Sequence, residues 1–324
     1  MAKKNLVLVR TGKNSLHTTW ATAGQERDFD IFALDYEPVN HGQIGSIDQV
    51  FELHGPKIGG YFKWLSQNKD TIVEYARVAL LDDDLSTSYT DISRVFKYCD
   101  LLDLDIGQPA LTHNSFYSVP ITRKHRSFLH RWTNWVEIMA PFFKSDVLLS
   151  CIDSFQSNQN GGSCIEYLWT AHCKSIPGSI AIIDHIPFFH TRPVGSAGSA
   201  IKGNKNPFLP LYEGRIIEML NGAGPSADNI CGLTTEGIFM HAGEQMFAQL
   251  VLEDFTAYGV QNHVRIANSG GAKKTSEVCN FYARNVTLNF ESLQFIRFLS
   301  EDLKNTFACL AIQSGLLFEQ LKAV

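Results

Sequence analysis

Short apolar runs alternate with longer amphipathic stretches through the first 190 residues of this chain. Such runs are typical of strands buried on both faces of a sheet, and the amphipathic stretches are typical of the helices that cover them. The rhythm predicts an α/β sandwich with a mostly parallel central sheet. The predicted strands are residues 6–9, 31–34, 78–81, 106–111, 135–140 and 180–183, and the predicted helices are 58–67, 92–102, 144–154 and 164–173.

Proline and glycine gather among small and polar residues between 192 and 210, which is typical of a linker or loop. We therefore predict a first domain over 1–194, a linker or loop over 195–210 and a mainly helical C-terminal extension over 211–324. Within the extension, helical spacing recurs at 211–220, 236–258 and 292–321. A strand pair is predicted near 264–267 and 286–290.

Charge and cysteine usage narrow the function classes. A formal net charge of -5, with no run of Lys and Arg longer than two, gives no basic field for a polyanion, so nucleic acid is not an expected partner. Seven cysteines without CxxC spacing indicate reduced thiols and a cytoplasmic location. The sequence predicts no signal peptide or spanning helix, and it is compatible with peripheral membrane attachment and with a homo-oligomer.

Three consecutive aspartates, Asp82, Asp83 and Asp84, follow the predicted strand at 78–81. In open α/β sheets, ligands bind at the carboxyl ends of strands. Aspartates at i and i+2 of an extended segment point to one side, so Asp82 and Asp84 can converge on Mg²⁺ or Mn²⁺, whose shell phosphate oxygens complete. A solvated acidic turn that caps the next helix is the alternative. The mutual repulsion of three carboxylates beside a buried strand favours the cation.

A second predicted strand, 180–183, is followed by Asp184, His185 and, further on, His190. Either imidazole can supply a third metal ligand, and we rank His190 first. We interpret Asp184 as a carboxylate that orients one of these rings. The alternative is a packed, hydrogen-bonded histidine beside aromatic residues.

Five short motifs recur in an order that resembles domain-of-unknown-function family 707: LDDDL at 81–85, GQPAL at 107–111, PIT at 120–122, WVEIMAP at 135–141, and IID at 182–184 with His190. The resemblance covers about residues 4–194, and residues 195–324 have no counterpart. This family is glycosyltransferase-like, which implies a Rossmann-like GT-A fold whose metal is held by Asp82, Asp84 and His190. Two features depart from the family pattern. Residue 83 is aspartate, where the family often has glutamate. The stretch 122–135 also differs, and this second difference leaves acceptor specificity open.

Sugar transfer with inversion requires a general base for the acceptor hydroxyl, and two glutamates are candidates. Glu166 opens a predicted helix after the Gly-rich residues 161–164, and we prefer it as the base. Its alternative role is to complement the helix dipole. Glu137 lies among apolar residues, where a buried acid needs a partner or a function, and we interpret it as an acceptor contact. Its alternative role is a buried hydrogen-bond anchor.

Donor recognition is predicted at the ends of the first two strands. Arg10 and Thr11 offer a cation and backbone amides to a nucleotide, and Asp35 can accept a hydrogen bond from a base or ribose. Asp83 is predicted to face the ribose or a backbone amide. An ordinary polar turn is the alternative for Arg10 and Thr11. Trp132 and Trp135 are the aromatic residues that we expect to stack on an acceptor sugar.

The sequence thus predicts a metal-dependent glycosyltransferase that moves a sugar from a nucleotide-sugar donor to a glycan or other hydroxyl acceptor, in polysaccharide or glycoconjugate synthesis. A noncatalytic carbohydrate-binding or scaffold protein is one alternative. A sugar-phosphate nucleotidyltransferase is another, although the chain lacks a glycine-rich phosphate loop.

Overall fold

The computed structural model describes residues 4–21, 27–39, 41, 47–117, 119–158, 165–174, 178–193, 229–241, 246–247, 249–250 and 301–324. These residues form eleven strands. The strands are β1 Asn5–Thr11, β2 Phe29–Asp35, β3 Gln49–Glu52, β4 Arg77–Asp82, β5 Leu85–Ser86, β6 Ile106–Leu111, β7 Phe128–Thr133, β8 Phe142–Lys144, β9 Ile180–His190, β10 Asn229–Thr234 and β11 Phe239–His241.

Helices cover both faces of the sheet. Alternate residues of β1 face opposite sides: Val7 and Val9 pack into one apolar cluster with α3 and α7, and Leu6 and Leu8 into another with α1, α5 and α6. The three-layer α/β sandwich predicted from the sequence is thereby confirmed. The helices are α1 Lys57–Gln67, α2 Lys69–Ile72, α3 Tyr89–Leu101, α4 Ser145–Ser150, α5 Ile152–Asn158, α6 Ile165–Trp169 and α7 Glu301–Ala323, with 3-10 turns at His17–Thr19, Pro120–Thr122 and Thr170–His172.

The sheet is mixed, and the prediction of a mostly parallel sheet is wrong. Its order is β11-β10-β7-β9-β6-β8-β4-β1-β2-β3, with β5 pairing separately with β9. Parallel pairing is confined to β3-β2-β1-β4 and β6-β9. The predicted strand at 135–140 is a loop, and the strands on either side of it, β7 and β8, pair antiparallel with their neighbours. Antiparallel neighbours need no helical crossover, which is why the helix–strand rhythm did not indicate them.

The C-terminal region contributes to this same sheet. β10 pairs antiparallel with β7, and β11 pairs antiparallel with β10. The helix predicted over 236–258 is therefore wrong at Phe239–His241, where sheet pairing overrides the helical spacing. α7 agrees with the helix predicted over 292–321 wherever that range is described. The predicted linker 195–210, the helix 211–220 and the strands near 264–267 and 286–290 lie outside the described residues.

The described helices include none that is both long enough and apolar enough to cross a membrane.

A buried ion pair connects three strands on one side of the sheet. The guanidinium of Arg131 on β7 contacts the Asp184 carboxylate on β9 at 2.8 Å and donates to the Asn229 side chain on β10 at 2.9 Å. It also donates to the Arg123 carbonyl, and the His125 backbone N–H donates to Asp184. Both charged side chains are fully buried. Each charge depends on the other, because neither has water to solvate it.

Replacing Asp184 should therefore destabilise the protein strongly. In Asp184→Asn, Arg131 keeps its charge but loses its counter-ion, and we expect the free energy of unfolding to fall by about 3–5 kcal/mol. Urea unfolding followed by circular dichroism measures the change. Asp103→Asn is the matched control, because Asp103 is 74% exposed beside Lys144, and its effect should stay within about 0.5 kcal/mol. Equal effects of the two substitutions would contradict a structural role for the buried pair.

Candidate functional site

The three aspartates, hereafter the acidic cluster, lie at the carboxyl end of β4. The strand ends at Asp82, and Asp83 and Asp84 form a turn that leads into β5. The prediction that Asp82 and Asp84 point to one side of an extended segment is therefore wrong. A different element brings the cluster its histidine: β5 pairs with the end of β9, with Leu85 opposite His190. This pairing leaves His190 Nε2 3.1 Å from Asp84 Oδ2.

The other ring nitrogen of His190 is held by the backbone. Nδ1 donates to the Phe116 carbonyl oxygen at 2.8 Å, and the His190 backbone N–H donates to Ser115 Oγ at 3.1 Å. Nδ1 therefore carries a proton, and the other ring nitrogen, Nε2, faces Asp84. Burial lowers the pKa of His190, but the hydrogen bond and the charge of Asp84 outweigh it, so the pKa is raised. A fixed Nδ1–H donor is the usual arrangement around a metal-binding imidazole.

Two cations from distant segments neutralise the acidic cluster. Lys57 Nζ, at the start of α1, lies 2.5 Å from Asp82 Oδ1. Arg192, just beyond β9, contacts Asp83 at 2.6 Å and Asp84 at 3.2 Å. The sequence analysis did not single out either residue, although Arg192 stands only two positions after His190. Site assignment from carboxylates and histidine alone left out half of the charges.

Burial and neighbouring charge move the pKa values of the three carboxyl groups apart. Burial raises the pKa of Asp82 despite the attraction of Lys57. It also raises the pKa of Asp83 to about 6, against the opposing charge of Arg192. For Asp84, burial acts in the same direction, but the hydrogen bond and charge of His190 outweigh it, and its pKa is lowered. Asp84 is therefore the member of the cluster that most firmly keeps its negative charge.

The contact between Asp84 and His190 has the spacing of two ligands of one cation. Neighbouring ligands of an octahedral ion, each about 2.1 Å from the metal, stand about 3 Å apart. Oxygen and imidazole ligands suit Mn²⁺, and the oxygen suits Mg²⁺. Within the described part of the chain, however, no three His, Cys, Asp or Glu side chains have the arrangement of a complete metal site. Asp84 and His190 are two candidate ligands, and the third predicted ligand, Asp82, is paired with Lys57 instead.

The predicted donor residues Arg10, Thr11 and Asp35 end the neighbouring strands β1 and β2. Arg10 is buried and donates to the carbonyls of Leu53 and Gly55 at 2.8 and 2.9 Å, and burial lowers its pKa. The Thr11 hydroxyl donates to the Asp35 carboxylate, and both side chains are buried. These three residues form the floor of this edge of the sheet and make contacts within the protein.

Asp83, the middle residue of the acidic cluster, is also bonded to the segments that follow β1 and β2. Its carboxylate accepts a hydrogen bond from the Tyr36 hydroxyl at 3.1 Å, and its carbonyl accepts from the Leu16 backbone N–H at 2.6 Å. Tyr36 directly follows β2, and its ring packs under the Arg10 guanidinium at 5.6 Å. The ends of β1, β2 and β4 are thus joined through Asp83, a connection that sequence spacing could not reveal.

The two candidate glutamates meet at the loop between β7 and β8: Glu137 lies in this loop, and Glu166 contacts its backbone. Glu166 on α6 is buried and accepts a hydrogen bond from the Ile138 backbone N–H at 3.3 Å. Burial raises its pKa, although backbone N–H groups and the charge of Lys57 act against this. The charge of Lys57 therefore acts on both Glu166 and Asp82. Glu137 is also buried, and its backbone N–H donates to the Gln108 side chain at 2.6 Å. The Gly-rich residues 161–164 lie outside the described chain.

Three further predictions are corrected by the structure. Asp184 orients no histidine ring, because its carboxylate is occupied by Arg131. His185 points to the less buried face of β9, away from His190, because side chains alternate along a strand. Trp132 and Trp135 are 1% and 3% exposed, so neither has a free face for a sugar ring. Trp132 packs against His130 and Phe239, and Trp135 packs against Tyr167.

No protein-family model matches this chain, so the resemblance to family 707 is not confirmed, and no curated protein matches it. Three solved structures have weak similarity. S. aureus TarS with UDP-GlcNAc is 14% identical over 69% of this chain and 68% of that chain, at a TM-score of 0.43. TarS with UDP is 11% identical over 99% and 90%, at 0.42. A197 from STIV is 10% identical over 74% and 93%, at 0.33. Scores this low establish neither a shared fold nor a shared activity.

The position of the Arg10 guanidinium can be tested by substituting a glycine that lies beside it. A Cβ added at Gly60 on α1 would lie 2.2 Å from the Arg10 guanidinium, which would have to leave its two carbonyl acceptors. We expect Gly60→Ala to lower the free energy of unfolding by about 1–3 kcal/mol, the usual contribution of hydrogen bonds to a charged group. Urea unfolding measures it.

Gly315→Ala is the matched helical control. No atom lies within 4 Å of a Cβ at Gly315 on α7. Alanine should therefore stabilise by about 0.5–1 kcal/mol, because it restricts the unfolded chain more than glycine does. A Gly60→Ala protein stabilised as much as Gly315→Ala would contradict the described position of Arg10.

Proposed function

We propose that this protein is a cation-dependent glycosyltransferase, which moves a sugar from a nucleotide-sugar donor to a hydroxyl of a glycan or other acceptor, in polysaccharide or glycoconjugate synthesis. The observation that carries the proposal is the pairing of Asp84 with His190, 3.1 Å apart, between Lys57 and Arg192. Anionic and cationic groups meet at the carboxyl end of a strand, where open α/β sheets bind ligands. A nucleoside diphosphate with its metal ion is a ligand that satisfies both signs of charge.

Asp84 and His190 would hold the Mn²⁺ or Mg²⁺ ion, with Asp82 joining them once Lys57 turns to the phosphates. A bound cation of this kind neutralises negative charge on the departing diphosphate. Cations of this class commonly keep only one or two protein carboxylates and fill their remaining positions with water and phosphate oxygens. A two-ligand protein site is therefore sufficient for a metal that arrives with its nucleotide.

Lys57 and Arg192 would bind the diphosphate oxygens. Arg192 is 28% exposed and Lys57 30% exposed, so both can reach a ligand while remaining beside the acidic cluster. A guanidinium can hold two phosphate oxygens at once, and an ammonium acts as a compact point charge. Entry of the diphosphate would replace carboxylate partners of these cations with phosphate partners, while the metal compensates the released carboxylates.

The nucleoside would lie over the ends of β1 and β2. Asp83 would face the ribose, held in place by Tyr36 and Arg192. Arg10, Thr11 and Asp35 would form the floor beneath it, with Asp35 as the acceptor for a base or ribose group. Because these three side chains already bond to one another or to the backbone, they would hold a fixed shape with little reorganisation on binding.

Glu166 would remove the proton from the acceptor hydroxyl as the sugar is transferred. Its raised pKa makes the carboxylate a stronger base than that of an exposed glutamate. The charge of Lys57 acts on Glu166, and Lys57 is one of the two cations proposed to bind the diphosphate. Glu137, on the adjoining loop, would contact the acceptor. A noncatalytic carbohydrate-binding protein or a nucleotidyltransferase would need no such base.

Nucleotide binding with and without metal tests the cation site. A thermal-shift panel of UDP, GDP and CMP first identifies a nucleotide, because a ligand of the folded state raises the melting temperature. Calorimetry should then give at least about tenfold tighter binding when Mn²⁺ is present, which is about 1.4 kcal/mol. Asp84→Asn and His190→Gln should each remove that enhancement, and Asp103→Asn should retain it. If no nucleotide binds in either condition, the transferase proposal is abandoned; if Mn²⁺ makes no difference, only the metal role is.

The pH dependence of sugar transfer tests Glu166. The base acts as its carboxylate, so the rate should fall as pH decreases through its pKa, at a pH above the ordinary value of about 4.3 for glutamate. Glu166→Gln should lower kcat about 100-fold or more and abolish this acid limb, while nucleotide affinity changes less than about twofold. Glu137→Gln should mainly raise the KM for the acceptor. An unchanged acid limb in Glu166→Gln would assign the base to another residue.

A further inference from the structure

A chain of five hydrogen-bonded side chains extends from the end of β2 towards the surface. Thr11 donates to Asp35, and Asp35 Oδ2 lies 2.9 Å from His41 Nε2. His41 Nδ1 lies 3.1 Å from His17 Nε2, and His17 Nδ1 lies 2.7 Å from Ser15 Oγ. We call these five residues the relay. Neither the sequence analysis nor the proposed chemistry makes use of its two histidines.

With both imidazoles neutral, the relay has one complete pattern of protons. The Asp35 carboxylate accepts, so His41 donates from Nε2 and must accept at Nδ1. His17 then donates from Nε2 and accepts at Nδ1, which requires the Ser15 hydroxyl to donate to it. Burial, and next the neighbouring His41, lower the pKa of His17 to about 4, so His17 is neutral near pH 7. In this state the hydrogen of Ser15 points inward and its lone pairs are available.

One added proton reverses the two hydrogen bonds of the relay between His41 and Ser15. If His41 takes a proton at Nδ1, it donates to His17 Nε2, and His17 donates from Nδ1 to Ser15 Oγ. The hydrogen of Ser15 is then released outward, and Ser15 changes from acceptor to donor. The charge on His41 is balanced by Asp35 at 2.9 Å. A single proton on a partly buried imidazole thus sets what Ser15 offers to a ligand.

The relay ends beside the nucleoside half of the proposed site. The Ser15 backbone N–H donates to the Gly12 carbonyl in the turn after β1, and the next residue, Leu16, donates from its backbone to the Asp83 carbonyl. Ser15 is half-buried, whereas Thr11, His17 and Asp35 are buried. Ser15 is therefore the accessible end of an otherwise interior network, at the edge of the sheet that carries the acidic cluster.

We propose that Ser15 is a specificity-determining contact for the nucleoside half of the donor, accepting a hydrogen bond from a ribose hydroxyl or a base N–H, with His17 and His41 as positioning residues that keep its oxygen an acceptor. The proposal rests on the proposed function, since it presumes that a nucleotide binds at this edge. It adds Ser15 to the donor contacts that the sequence predicted at Arg10, Thr11, Asp35 and Asp83. A metal ion between the imidazoles would have only two ligands, fewer than the three or four of known zinc sites.

The charged groups around the relay act through Asp35 and Asp83. Asp35 is the anion paired with His41, and Arg10 on β1 is the cation on which both Asp35 and Asp83 act. The charge that faces His17 comes from His41 and Asp35.

Two probes separate the halves of the site. UDP, GDP and CMP, each with Mn²⁺, report the whole nucleotide, and inorganic pyrophosphate with Mn²⁺ reports the phosphate half alone. Ser15→Ala and His41→Gln should weaken binding of the nucleotide that binds the wild type about tenfold and leave pyrophosphate unchanged. Asp84→Asn should weaken both. Ser15→Ala removes one half-buried oxygen, so its melting temperature should stay close to that of the wild type.

The tautomers of the two imidazoles give a readout that a merely structural role would not move. Nitrogen NMR should find both imidazoles protonated at Nε2 at about pH 8. A 2′-deoxy nucleotide tests which group Ser15 contacts. If it binds wild type and Ser15→Ala equally, the partner is the ribose 2′-hydroxyl; if Ser15→Ala still weakens it, the partner is the 3′-hydroxyl or a base N–H.

Nucleotide affinity unchanged in Ser15→Ala would overturn this proposal while leaving the proposed function intact, provided that Mn²⁺ still enhances binding. Protonation of either imidazole at Nδ1 alone would also overturn it, because the relay would then run in the wrong direction. If no nucleotide binds to the wild type at all, the proposed function fails first, and the role of Ser15 fails with it.

Discussion

The contact between Asp84 and His190 is the interaction on which the rest of the site depends. Three aspartates at the end of a buried strand repel one another and lose much of their hydration, so they require positive partners. The protein supplies these from two separate segments: Lys57 from α1, and His190 and Arg192 from the end of β9. Pairing of the short strand β5 with β9 brings the last two into place.

β9 connects stability with the site. In its middle, Asp184 pairs with Arg131 and holds β7 and β10 to the sheet, and at its end His190 reaches the acidic cluster. Both residues lie on the more buried face of the strand, six positions apart. The buried ion pair therefore fixes the strand that carries His190. The Phe116 carbonyl holds the His190 ring, and Ser115 holds its backbone N–H.

The edge of the sheet divides into two chemical halves. One half contains the acidic cluster with its cations and is suited to a diphosphate with a metal ion. The other half contains the relay and Arg10, whose hydrogen bonds are nearly all satisfied within the protein. Asp83 belongs to both, because Arg192 and Tyr36 bind its two oxygens. Preorganised groups on both sides reduce the cost of ordering a ligand.

The sequence by itself determined the features that depend on local patterning. Apolar runs located β1, β2, β4, β6 and the start of β9, and the aspartates after β4 identified the edge of the sheet with the candidate site. Tertiary structure alone decided which strands pair antiparallel, that Asp184 binds Arg131, and that Lys57, Arg192, His17 and His41 join the predicted residues. The physical reason is that periodicity and strand ends are encoded by neighbouring residues. A hydrogen bond or ion pair between residues 24 or 109 positions apart, such as His17 with His41 or Asp83 with Arg192, exists only once the sheet has brought them together.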